Sequence, residues 1–579
     1  MRMWPVGPRD LLPPSLSGWE RVRRLDWRFL LPEPDLGRTA YVGPREGALP
    51  EALKAFARPF VPVNEERGRS GDEDCDLAVV ASRDREDLAR ALRRVRPGGH
   101  LYWEVDRRPL LRRSPSGDGR WPRGSRAGRL LANPSRTLEG LGLVDVRVGC
   151  PFPSIQRPKT ILSPDPAAVR LATSMRNGGT FGMGPILDLA SRMGLLPRIL
   201  PTLAVVGRRP GGAAWDGGIA AAQATKGSAH HHAIHDGPWI LLTPWPAFFV
   251  VALLVDDATG EPVSVVKATG LPGDQRATHS LDREAQGLQR AGAAPLPHPD
   301  SIPRVRARRD GGDTHQLALS PVPGRSLTRR DIRRRPSHWI GQAVDWLSDL
   351  HRATLQEPPS ALDRRERLVE TPLRTLASHL PPTRGYRLLV HRARSAMGPL
   401  EGRGFPSVLE HGDFCPSNLL ATRSGGVSVV DWEFAEPEGF PGTDLFFLLA
   451  SVAVGQAGGA DPQRAERAFR HAFGGREGWA RPWIHRYWSR LDLPVDAAPA
   501  AFVATWTRLA ARLAWRPDES MMREGGTDLA RGLRRHRYFR FWVDALGGPV
   551  GEEGVDHPAA RSAASNGRYA NLATGETTP

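Results

Sequence analysis

Short apolar runs alternate with helical patterns through the first part of the chain. Residues 39–42, 76–81 and 100–105 are apolar runs typical of buried strands. Between the last two, residues 84–95 carry apolar side chains at the spacing of one helical face. Strands and helices in alternation predict a parallel sheet with covering helices. We therefore assign residues 1–164 to an N-terminal α/β domain.

The pattern changes after residue 164. Two helical patterns are followed, from Gly207 to Asp236, by a stretch rich in Gly, Ala, Arg and His without hydrophobic periodicity. Such composition is typical of a linker. Residues 165–237 are therefore predicted to be a helical segment followed by a flexible linker.

A second series of elements begins at Pro238. Residues 248–255 and 263–268 form strand-like runs, a helix is predicted around 281–290, and a further strand over 315–319. Beyond these, apolar residues at helical spacing dominate. A small sheet followed by helices predicts a bilobal α+β domain over 238–546. The tail, residues 547–579, loses its apolar residues and is predicted to be disordered.

Composition narrows the class of protein. With 40% hydrophobic and 25% charged residues, the chain has ordinary globular usage. Three cysteines in 579 residues cannot form a disulfide scaffold, and this scarcity favours a reducing cytoplasm.

Charge suggests few macromolecular partners. Lys+Arg number 80 against 63 Asp+Glu, a net charge of +17, but the cations are almost all scattered arginines, so we expect no nucleic-acid partner. The longest apolar stretch, residues 238–255, is interrupted by Pro244 and Pro246, and a spanning helix needs about 20 apolar residues. We expect no membrane insertion and, because prolines break up the N-terminus, no signal peptide.

Two neighbouring loops carry the candidate chemistry. Asp413 and Asn418 lie in a loop containing Pro416, and Asp431 directly follows a short strand. Phosphoryl transfer from a nucleotide needs a carboxylate to orient or deprotonate the attacking hydroxyl, and oxygen ligands to hold Mg²⁺. One acid, one amide and a second acid on adjacent loops supply that set. The alternative is that both aspartates are ordinary turn residues.

The motifs 411–413 (His-Gly-Asp), Asn418 and 431–433 (Asp-Trp-Glu) resemble the aminoglycoside phosphotransferase and choline kinase family, relatives of the protein kinases. The resemblance implies a protein-kinase-like fold with Asp413 as the catalytic base and His411 bracing the loop. It further implies that Asn418 and Asp431 hold Mg²⁺, and that ATP or GTP is the phosphoryl donor. Asp444 matches a family aspartate that supports the loop.

Further positions upstream fit the same resemblance. Lys267 ends an apolar strand and would bind the nucleotide phosphates, unless it is a strand-edge lysine facing solvent. Glu284 stands where the family's lysine-pairing glutamate would be, although a helical glutamate is usually exposed. Residues 320–327 resemble the interlobe hinge. The sequence departs from the family pattern at 243–246 (Thr-Pro-Trp-Pro), where no glycine-rich loop precedes Lys267.

The N-terminal domain resembles the second half of a class I S-adenosylmethionine (SAM) methyltransferase. The resemblance rests on residues 76–81, the turn 96–99 and the run 141–146, and it implies a Rossmann-like sheet. The turn that would face the cofactor, residues 42–47, has only two glycines, with Pro44 and Arg45 between them. We therefore expect a degenerate, structural or regulatory module, for which SAM is a doubtful cofactor.

Together these features predict a cytoplasmic enzyme that moves the γ-phosphoryl group of a nucleotide to the hydroxyl of a small molecule. Two alternatives stay open. In the first, the chain is a pseudokinase scaffold that binds nucleotide or a partner without turnover. In the second, it is a SAM-dependent methyltransferase whose kinase-like half recognises substrate.

Overall fold

The computed structural model describes residues 23–31, 34–63, 74–107, 131, 133–156, 158–175, 184–211, 237–243, 249–271, 273–311, 314–357, 360–400, 405–458, 461–474, 477–515 and 529–547. The chain divides into two compact units. The first comprises Met1–Leu281 and Val305–Pro321, and the second Asp282–Arg304 and Val322–Pro579. The predicted disordered tail 547–579 lies, after its first residue, outside the described residues.

The first unit is built on strands, which are β1 Thr39–Val42, β2 Phe60–Pro62, β3 Cys75–Val80, β4 Val95–Asp106, β5 Val144–Phe152, β6 Thr160–Leu162, β7 Thr202–Arg208, β8 Trp239–Leu242, β9 Phe249–Val255, β10 Pro262–Thr269, β11 Val305–Gly311 and β12 Thr314–Leu319. Its helices are α1 Ala48–Phe56, α2 Arg85–Arg93, α3 Pro134–Glu139, α4 Pro166–Met175, α5 Gly184–Arg192 and α6 Leu196–Ile199, with a 3₁₀ turn at Asp26–Leu30. The helix α7 Gln275–Ala293 begins in the first unit and continues into the second.

All twelve strands form one sheet in the order β11-β12-β10-β9-β8-β6-β5-β7-β4-β3-β1-β2. β2, β1, β3 and β4 pair in parallel, as the alternating strand and helix pattern predicts. From β4 onward every pairing is antiparallel. The predicted turn 96–99 lies inside β4, where the pairing with β3 shifts register. The sheet is therefore mixed, and the methyltransferase-like interpretation of its N-terminal part stays a prediction.

Two apolar cores cover the sheet. Neighbouring residues of one strand belong to different cores: Leu101 and Trp103 pack in one, and Tyr102 in the other. Since successive side chains of a strand point to opposite faces, the two cores lie on opposite sides of the sheet. Both cores include residues from β1 as well as from β9, so one packing arrangement extends over the whole first unit.

The division into units differs from the predicted domain boundaries. The expected boundary at residue 238 falls just before β8, which pairs with β6 on one side and β9 on the other. Residues 202–208, inside the segment 165–237 expected to be helical segment and linker, form β7 between β4 and β5. Sequence patterns describe neighbours along the chain, and these pairings join strands that are distant in sequence. The rest of the predicted linker, 212–236, lies outside the described residues.

The second unit is mainly helical. Its helices are α8 Arg329–Arg334, α9 Pro336–Ala353, α10 Ala361–Arg365, α11 Thr371–Ala377, α12 Arg384–Met397, α13 Thr443–Gln456, α14 Pro462–Phe473, α15 Arg481–Arg490, α16 Ala498–Trp515, α17 Leu529–Arg535 and α18 Arg537–Ala545. Single turns of 3₁₀ or π helix lie at Pro299–Ser301, Glu366–Glu370, Gly398–Leu400, Pro416–Asn418 and Val495–Ala497. Its strands are β13 Arg325–Ser326, β14 Val408–Glu410, β15 Leu419–Ala421, β16 Val427–Val429 and β17 Glu436–Gly439.

An aromatic core holds these helices together. Phe469 of α14 stacks on Phe541 of α18 with ring centroids 4.2 Å apart, and both rings contact Trp506 of α16 edge-on. Large buried rings bring much apolar area and a preferred geometry, so they fix how α14, α16 and α18 cross. Within the described residues, none of the helices is both long and apolar enough to span a bilayer.

Candidate active site

The lysine predicted to bind the nucleotide phosphates and the glutamate predicted to pair with it are both buried. Lys267 lies in β10, between β9 and β12 in the sheet, and is 7% exposed. The alternative of a solvent-facing lysine at a sheet edge is therefore wrong. Glu284 in α7 has no exposed surface, so the expectation that a helical glutamate is exposed fails as well. Lys267 belongs to the first unit and Glu284 to the second. Their predicted pairing stays a prediction.

The predicted catalytic loop connects β14 to β15 in the second unit. It begins after Glu410, passes through His411, Gly412 and Asp413, and ends in the 3₁₀ turn Pro416–Asn418. Gly412 has φ of 79°, and a Cβ at this position would collide with the carbonyl oxygen of Phe434. Only glycine fits this approach without a shift of backbone.

Asp444, at the start of α13, holds the catalytic loop through hydrogen bonds to its backbone. Its Oδ2 accepts the N–H of His411 at 2.7 Å and its Oδ1 accepts the N–H of Gly412 at 2.9 Å. Burial opposes ionisation of Asp444, but the neighbouring imidazole of His351, with further contributions from His411, holds the pKa of Asp444 below the ordinary value. The supporting role that the resemblance assigns to Asp444 agrees with these contacts.

His351, from the Leu350–Arg352 stretch of α9, extends this support. Its Nδ1 lies 2.5 Å from the Tyr487 hydroxyl, which also accepts the N–H of Gly442 at 3.3 Å. The Nε2 of His351 lies 3.6 Å from Asp444 Oδ2. Tyr487 on α15 thus connects α9 with the start of α13, the helix whose Asp444 holds the catalytic loop.

His411 is buried and braces the loop as a neutral ring. Its Nδ1 accepts the N–H of Asp413 at 3.3 Å, and its Nε2 donates to the carbonyl of Val430 at 3.0 Å. One nitrogen accepts and the other donates, which is the pattern of a neutral imidazole. Burial lowers the pKa of His411, in agreement with this assignment. The bond to Val430 also ties the first loop to the strand end that carries Asp431.

Asp413 remains partly accessible, with 25% of its side chain exposed. Its Oδ2 accepts the Nδ2 of Asn418 at 2.8 Å, while its Oδ1 lies 3.7 Å from Nη2 of Arg512. Burial raises the pKa of Asp413 above its ordinary value, the Arg512 charge opposes the increase, and the negative charge of Asp431 adds to it. A carboxylate with a raised pKa is a stronger proton acceptor.

Asn418 and Asp431 fit the donor chemistry of a magnesium site. Both contacts of the Asn418 amide nitrogen go to Asp413, one to its carbonyl and one to its carboxylate, so the amide oxygen is the atom left to ligate. Asp431 has φ of 71°, the left-handed region, which Asp adopts more readily than most residues. In the part of the chain that the structure describes, no group of three or more His, Cys, Asp or Glu could hold a metal. Two protein ligands suffice for Mg²⁺, which usually completes its shell with phosphates and water.

Cys415 lies inside the loop but is not suited to nucleophilic chemistry. The residue is buried, and burial raises the pKa of its thiol to about 12. The thiolate is the reactive form of cysteine, and it is scarce at neutral pH when the pKa is this high. The reactive side chain that the loop offers is therefore the carboxylate of Asp413 and not the thiol of Cys415.

Two arginines of α16 belong to the site and were not found from the sequence. Arg508 makes a bidentate ion pair with the buried Glu410, at 2.7 and 2.9 Å. Arg512 donates to the carbonyl of Gly412 and lies 4.3 Å from the Phe434 ring centroid. Their spacing of four residues within an otherwise apolar helix is the sequence pattern that could have found them.

A cavity of about 450 Å³ opens beside Asp413 within the second unit. Its walls come from α8, the catalytic loop, α13, α16 and α18. Small-molecule sites in proteins are typically concave spaces of about 300–1,000 Å³. The cavity therefore has room for a small substrate next to the predicted base.

The turn predicted to face SAM is closed by a side chain of the preceding strand, β1. The hydroxyl of Tyr41 donates to the carbonyl of Pro44 at 3.0 Å and lies 2.7 Å from where a Cβ on Gly43 would stand. Burial raises the pKa of Tyr41 to about 12, so the hydroxyl keeps its proton. The space that a glycine gives to a cofactor is here taken by a tyrosine, so these residues do not fit SAM.

The departure from the family pattern at 243–246 is not tested, because residues 244–248 lie outside the described residues. The predicted hinge, 320–327, contains the passage from the first unit to the second at Pro321 and Val322.

Solved structures similar to parts of the chain have low sequence identity. An ethanolamine kinase from Plasmodium vivax is 12% identical, covering 56% of this chain and 83% of its own, with a TM-score of 0.36. A choline kinase from Streptococcus pneumoniae is 14% identical, covering 53% and 91%, with a TM-score of 0.32. An aminoglycoside phosphotransferase from Streptomyces rimosus, in complex with ADP and streptomycin, is 18% identical, covering 46% and 90%, with a TM-score of 0.30.

No curated protein matches the chain. A family model does, over residues 265–483, and it describes the phosphotransferase enzyme family. The matched residues include Lys267, Glu284, the catalytic loop and Asp431. Over residues 265–483 the chain is therefore similar to the phosphotransferase enzyme family.

Proposed function

We propose that the chain is an O-phosphotransferase that moves the γ-phosphoryl group of ATP or GTP to a hydroxyl of a small molecule, and that it depends on Mg²⁺. The observation that carries the proposal is the placement of Asp413. One oxygen of this carboxylate is held by Asn418 and the other lies near Arg512, at the mouth of a cavity of substrate size. A held carboxylate with a raised pKa, next to open space, suits a general base.

In the proposed reaction, the acceptor oxygen forms a bond to the γ-phosphorus. The bond from the γ-phosphorus to the oxygen that bridges to the β-phosphate breaks, and the nucleoside diphosphate leaves. The hydroxyl proton passes to Asp413 Oδ1, the oxygen that Asn418 does not use. In such a transfer the protein contributes mainly position and charge.

The other residues position this base and the phosphates. His411 and Asp444 fix the loop backbone, so the carboxylate of Asp413 has little freedom to turn away. Asn418 and Asp431 would hold Mg²⁺, which neutralises phosphate charge when bound. Lys267 is proposed to bind the donor's phosphates, with Glu284 as its partner.

Thermal unfolding with Mg-ATP and Mg-GTP tests the nucleotide site. A ligand that binds only the folded state at about 100 times its Kd stabilises by about 2.7 kcal/mol, so the midpoint should rise with at least one nucleotide. Asp431→Asn removes the ligating charge while Asn tolerates the left-handed backbone at this position. We expect the rise to be lost in this variant, with the unliganded midpoint nearly unchanged.

Together with an assay of nucleotide consumption, the same experiment separates the enzyme from a scaffold. An equal rise in Asp431→Asn contradicts the proposed metal site. No rise with either nucleotide contradicts the enzyme and favours a scaffold. A rise without consumption of nucleotide in the presence of any hydroxyl acceptor identifies a pseudokinase.

A further inference from the structure

A positively charged surface covers α8 and the residues that flank it. The segments 322–344 and 419–430, which the structure describes throughout, carry seven arginines but a single acid, Asp331. Six of these arginines are exposed and, within the described part of the chain, make no pair with an acid. We call these six residues the basic surface, namely Arg329, Arg330, Arg333, Arg334, Arg335 and Arg423.

The single acid of these segments is already paired. Asp331 accepts two hydrogen bonds from Arg325, at 2.7 and 2.8 Å, and caps α8 together with Thr328. The hydrogen bonds from Arg325, followed by those from Thr328, hold the pKa of Asp331 below its ordinary value. The carboxylate therefore stays ionised and bound to Arg325, which is not one of the six exposed arginines.

Four arginines of the basic surface lie on α8 itself. Arg329 and Arg333 are four residues apart, as are Arg330 and Arg334, and residues at this spacing are neighbours on a helix surface. Like charges in such pairs destabilise a helix, so this arrangement is unfavourable for α8 alone. A bound polyanion would remove the repulsion.

The fold extends the basic surface beyond α8. β13, which precedes α8, pairs with β15, and the turn after β15 carries Arg423. The same turn lies against the first turn of α9, where the ring of His338 is 3.8 Å from the position of a Cβ on Gly425. Two helices and a turn thus bring their cations together, although Arg423 is distant from α8 in the sequence.

An aromatic side chain borders the basic surface. His338 is exposed, and its ring centroid lies 4.6 Å from that of Trp339, edge to face. Single-stranded nucleic acids bind to positively charged surfaces that follow their backbone and that offer aromatic side chains for base stacking. Guanidinium groups suit this backbone, because they form bidentate hydrogen bonds with phosphate.

The spread of the charges favours a flexible polyanion over a flat bilayer. With 3.6 residues per turn, the four arginines of α8 cover about 140° of the circumference of the helix. A planar lipid surface meets only one side of a helix at a time, whereas a single strand can follow the curvature and reach all four guanidinium groups.

From these observations we propose that the basic surface binds single-stranded nucleic acid, with its arginines on the phosphates and a base stacked on His338. The sequence predicted no nucleic-acid partner because its arginines are scattered along the chain, but the fold places six of them on one surface. The proposed binding goes beyond the phosphotransferase function and does not depend on it.

Fluorescence anisotropy of a labelled oligouridylate tests the proposal. The probe has about 16 nucleotides, the upper end of the length that one single-strand-binding domain covers, and the full chain is titrated without ATP or GTP. We expect saturable binding that weakens with salt. The slope of log K against log salt concentration should be near about −2.8 for about four neutralised phosphates.

A double variant assigns the binding to the basic surface. Arg330→Glu with Arg334→Glu reverses two exposed charges that do not line the cavity beside Asp413. Affinity should fall at least about tenfold, and the salt slope should become shallower by about 1.4, because two phosphate contacts are lost. The unfolding midpoint should change little, since neither arginine is buried or paired within the described residues.

The matched control is Arg384→Glu with Arg467→Glu. These two arginines are exposed on α12 and α14 of the same unit, outside the basic surface, and the double variant changes the net charge equally. It should bind oligouridylate nearly as tightly as the wild type. Equal weakening by the two double variants overturns the proposal, because binding then follows net charge alone.

His338→Ala tests base stacking separately from charge. One stacked base contributes about fivefold or more to affinity, so binding should weaken by at least this factor while the salt slope stays the same. Inorganic polyphosphate of equal charge is the matching competitor, since it carries phosphates without bases. Competition by polyphosphate as effective as by unlabelled oligouridylate overturns the assignment to nucleic acid, as does unchanged affinity in His338→Ala.

Other partners are outcomes of the same measurement. Tighter binding of duplex RNA of the same length overturns the proposed single strand, and adsorption to phosphatidylglycerol vesicles without binding of oligouridylate assigns the basic surface to a membrane instead. Thermal unfolding with Mg-nucleotide reports on the phosphotransferase site alone. Either proposal can therefore fail while the other stands.

Discussion

The catalytic loop of the second unit and the turn after β1 of the first unit are both sites where a family resemblance implies a ligand. In the loop, the carboxylate of Asp444 accepts the backbone N–H groups of His411 and Gly412, and the side chain of Asp413 lines the cavity. In the turn, the Tyr41 hydroxyl fills the space beside Gly43 and bonds to Pro44. A ligand site thus needs both the right residues and neighbours that satisfy the backbone without closing the space. Only the catalytic loop meets both conditions.

Asp413→Asn should have the largest effect, because it removes the proton acceptor. Loss of a general base lowers kcat by about 10²–10⁴-fold. Folding raises the pKa of Asp413, because burial disfavours the ionised carboxylate. The free energy of unfolding therefore falls as pH rises from the ordinary pKa of aspartate through the raised pKa. At neutral pH the variant should therefore unfold at the same temperature as the wild type or higher. Steady-state kinetics and calorimetry check both, and retained kcat would exclude Asp413 as the base.

Gly412→Ala should disrupt the loop itself. The left-handed φ and the collision with Phe434 together should cost about 2–4 kcal/mol of unfolding free energy, measured by denaturant titration. Gly425→Ala is the matched control, because Gly425 has φ of 86° but its nearest neighbour, His338, lies 3.8 Å from the added Cβ. Equal losses in the two variants would show that the contact with Phe434 is unimportant.

The pH dependence of kcat/KM should show the environment of Asp413. Since burial raises its pKa, the acidic limb should lie above the ordinary aspartate value, with activity lost as pH falls. Arg512→Gln removes the opposing positive charge and should move the limb to still higher pH, while Arg512→Lys should move it less. A limb that stays in place in Arg512→Gln would assign it to another group. His411, with its lowered pKa, should add no limb at neutral pH.

SAM should have the smallest effect. Because Tyr41 occupies the turn after β1, saturating SAM should leave the unfolding midpoint unchanged, in contrast to Mg-nucleotide. Tyr41→Phe, which removes only the bond to Pro44, should cost about 1 kcal/mol. A rise of the midpoint with SAM would show that the turn opens for the cofactor and would restore the methyltransferase alternative.

The sequence by itself predicted several local elements and named the candidate site residues. The strand at Thr39–Val42 and the helix around 84–95 follow from hydrophobic spacing, which is a property of neighbouring residues. The spacing of Asp413, Asn418 and Asp431 around a short hairpin likewise predicted that these groups lie on adjacent loops. A group of candidate site residues that lie close together in the sequence can be recognised from the sequence alone.

Tertiary structure alone decided the rest. One sheet joins β6, β8 and β9 across the expected boundary at 238, because the backbone N–H and C=O groups of a buried strand must bond to the strands that lie beside it, wherever these come in the sequence. The lining of the cavity beside Asp413 includes Arg329 and Arg537, which are about two hundred residues apart in the chain and meet only in the fold. Likewise Arg508 and Arg512 reach the loop because α16 packs next to it. Pairing and charge neutralisation depend on distance in space, which the order of residues does not give.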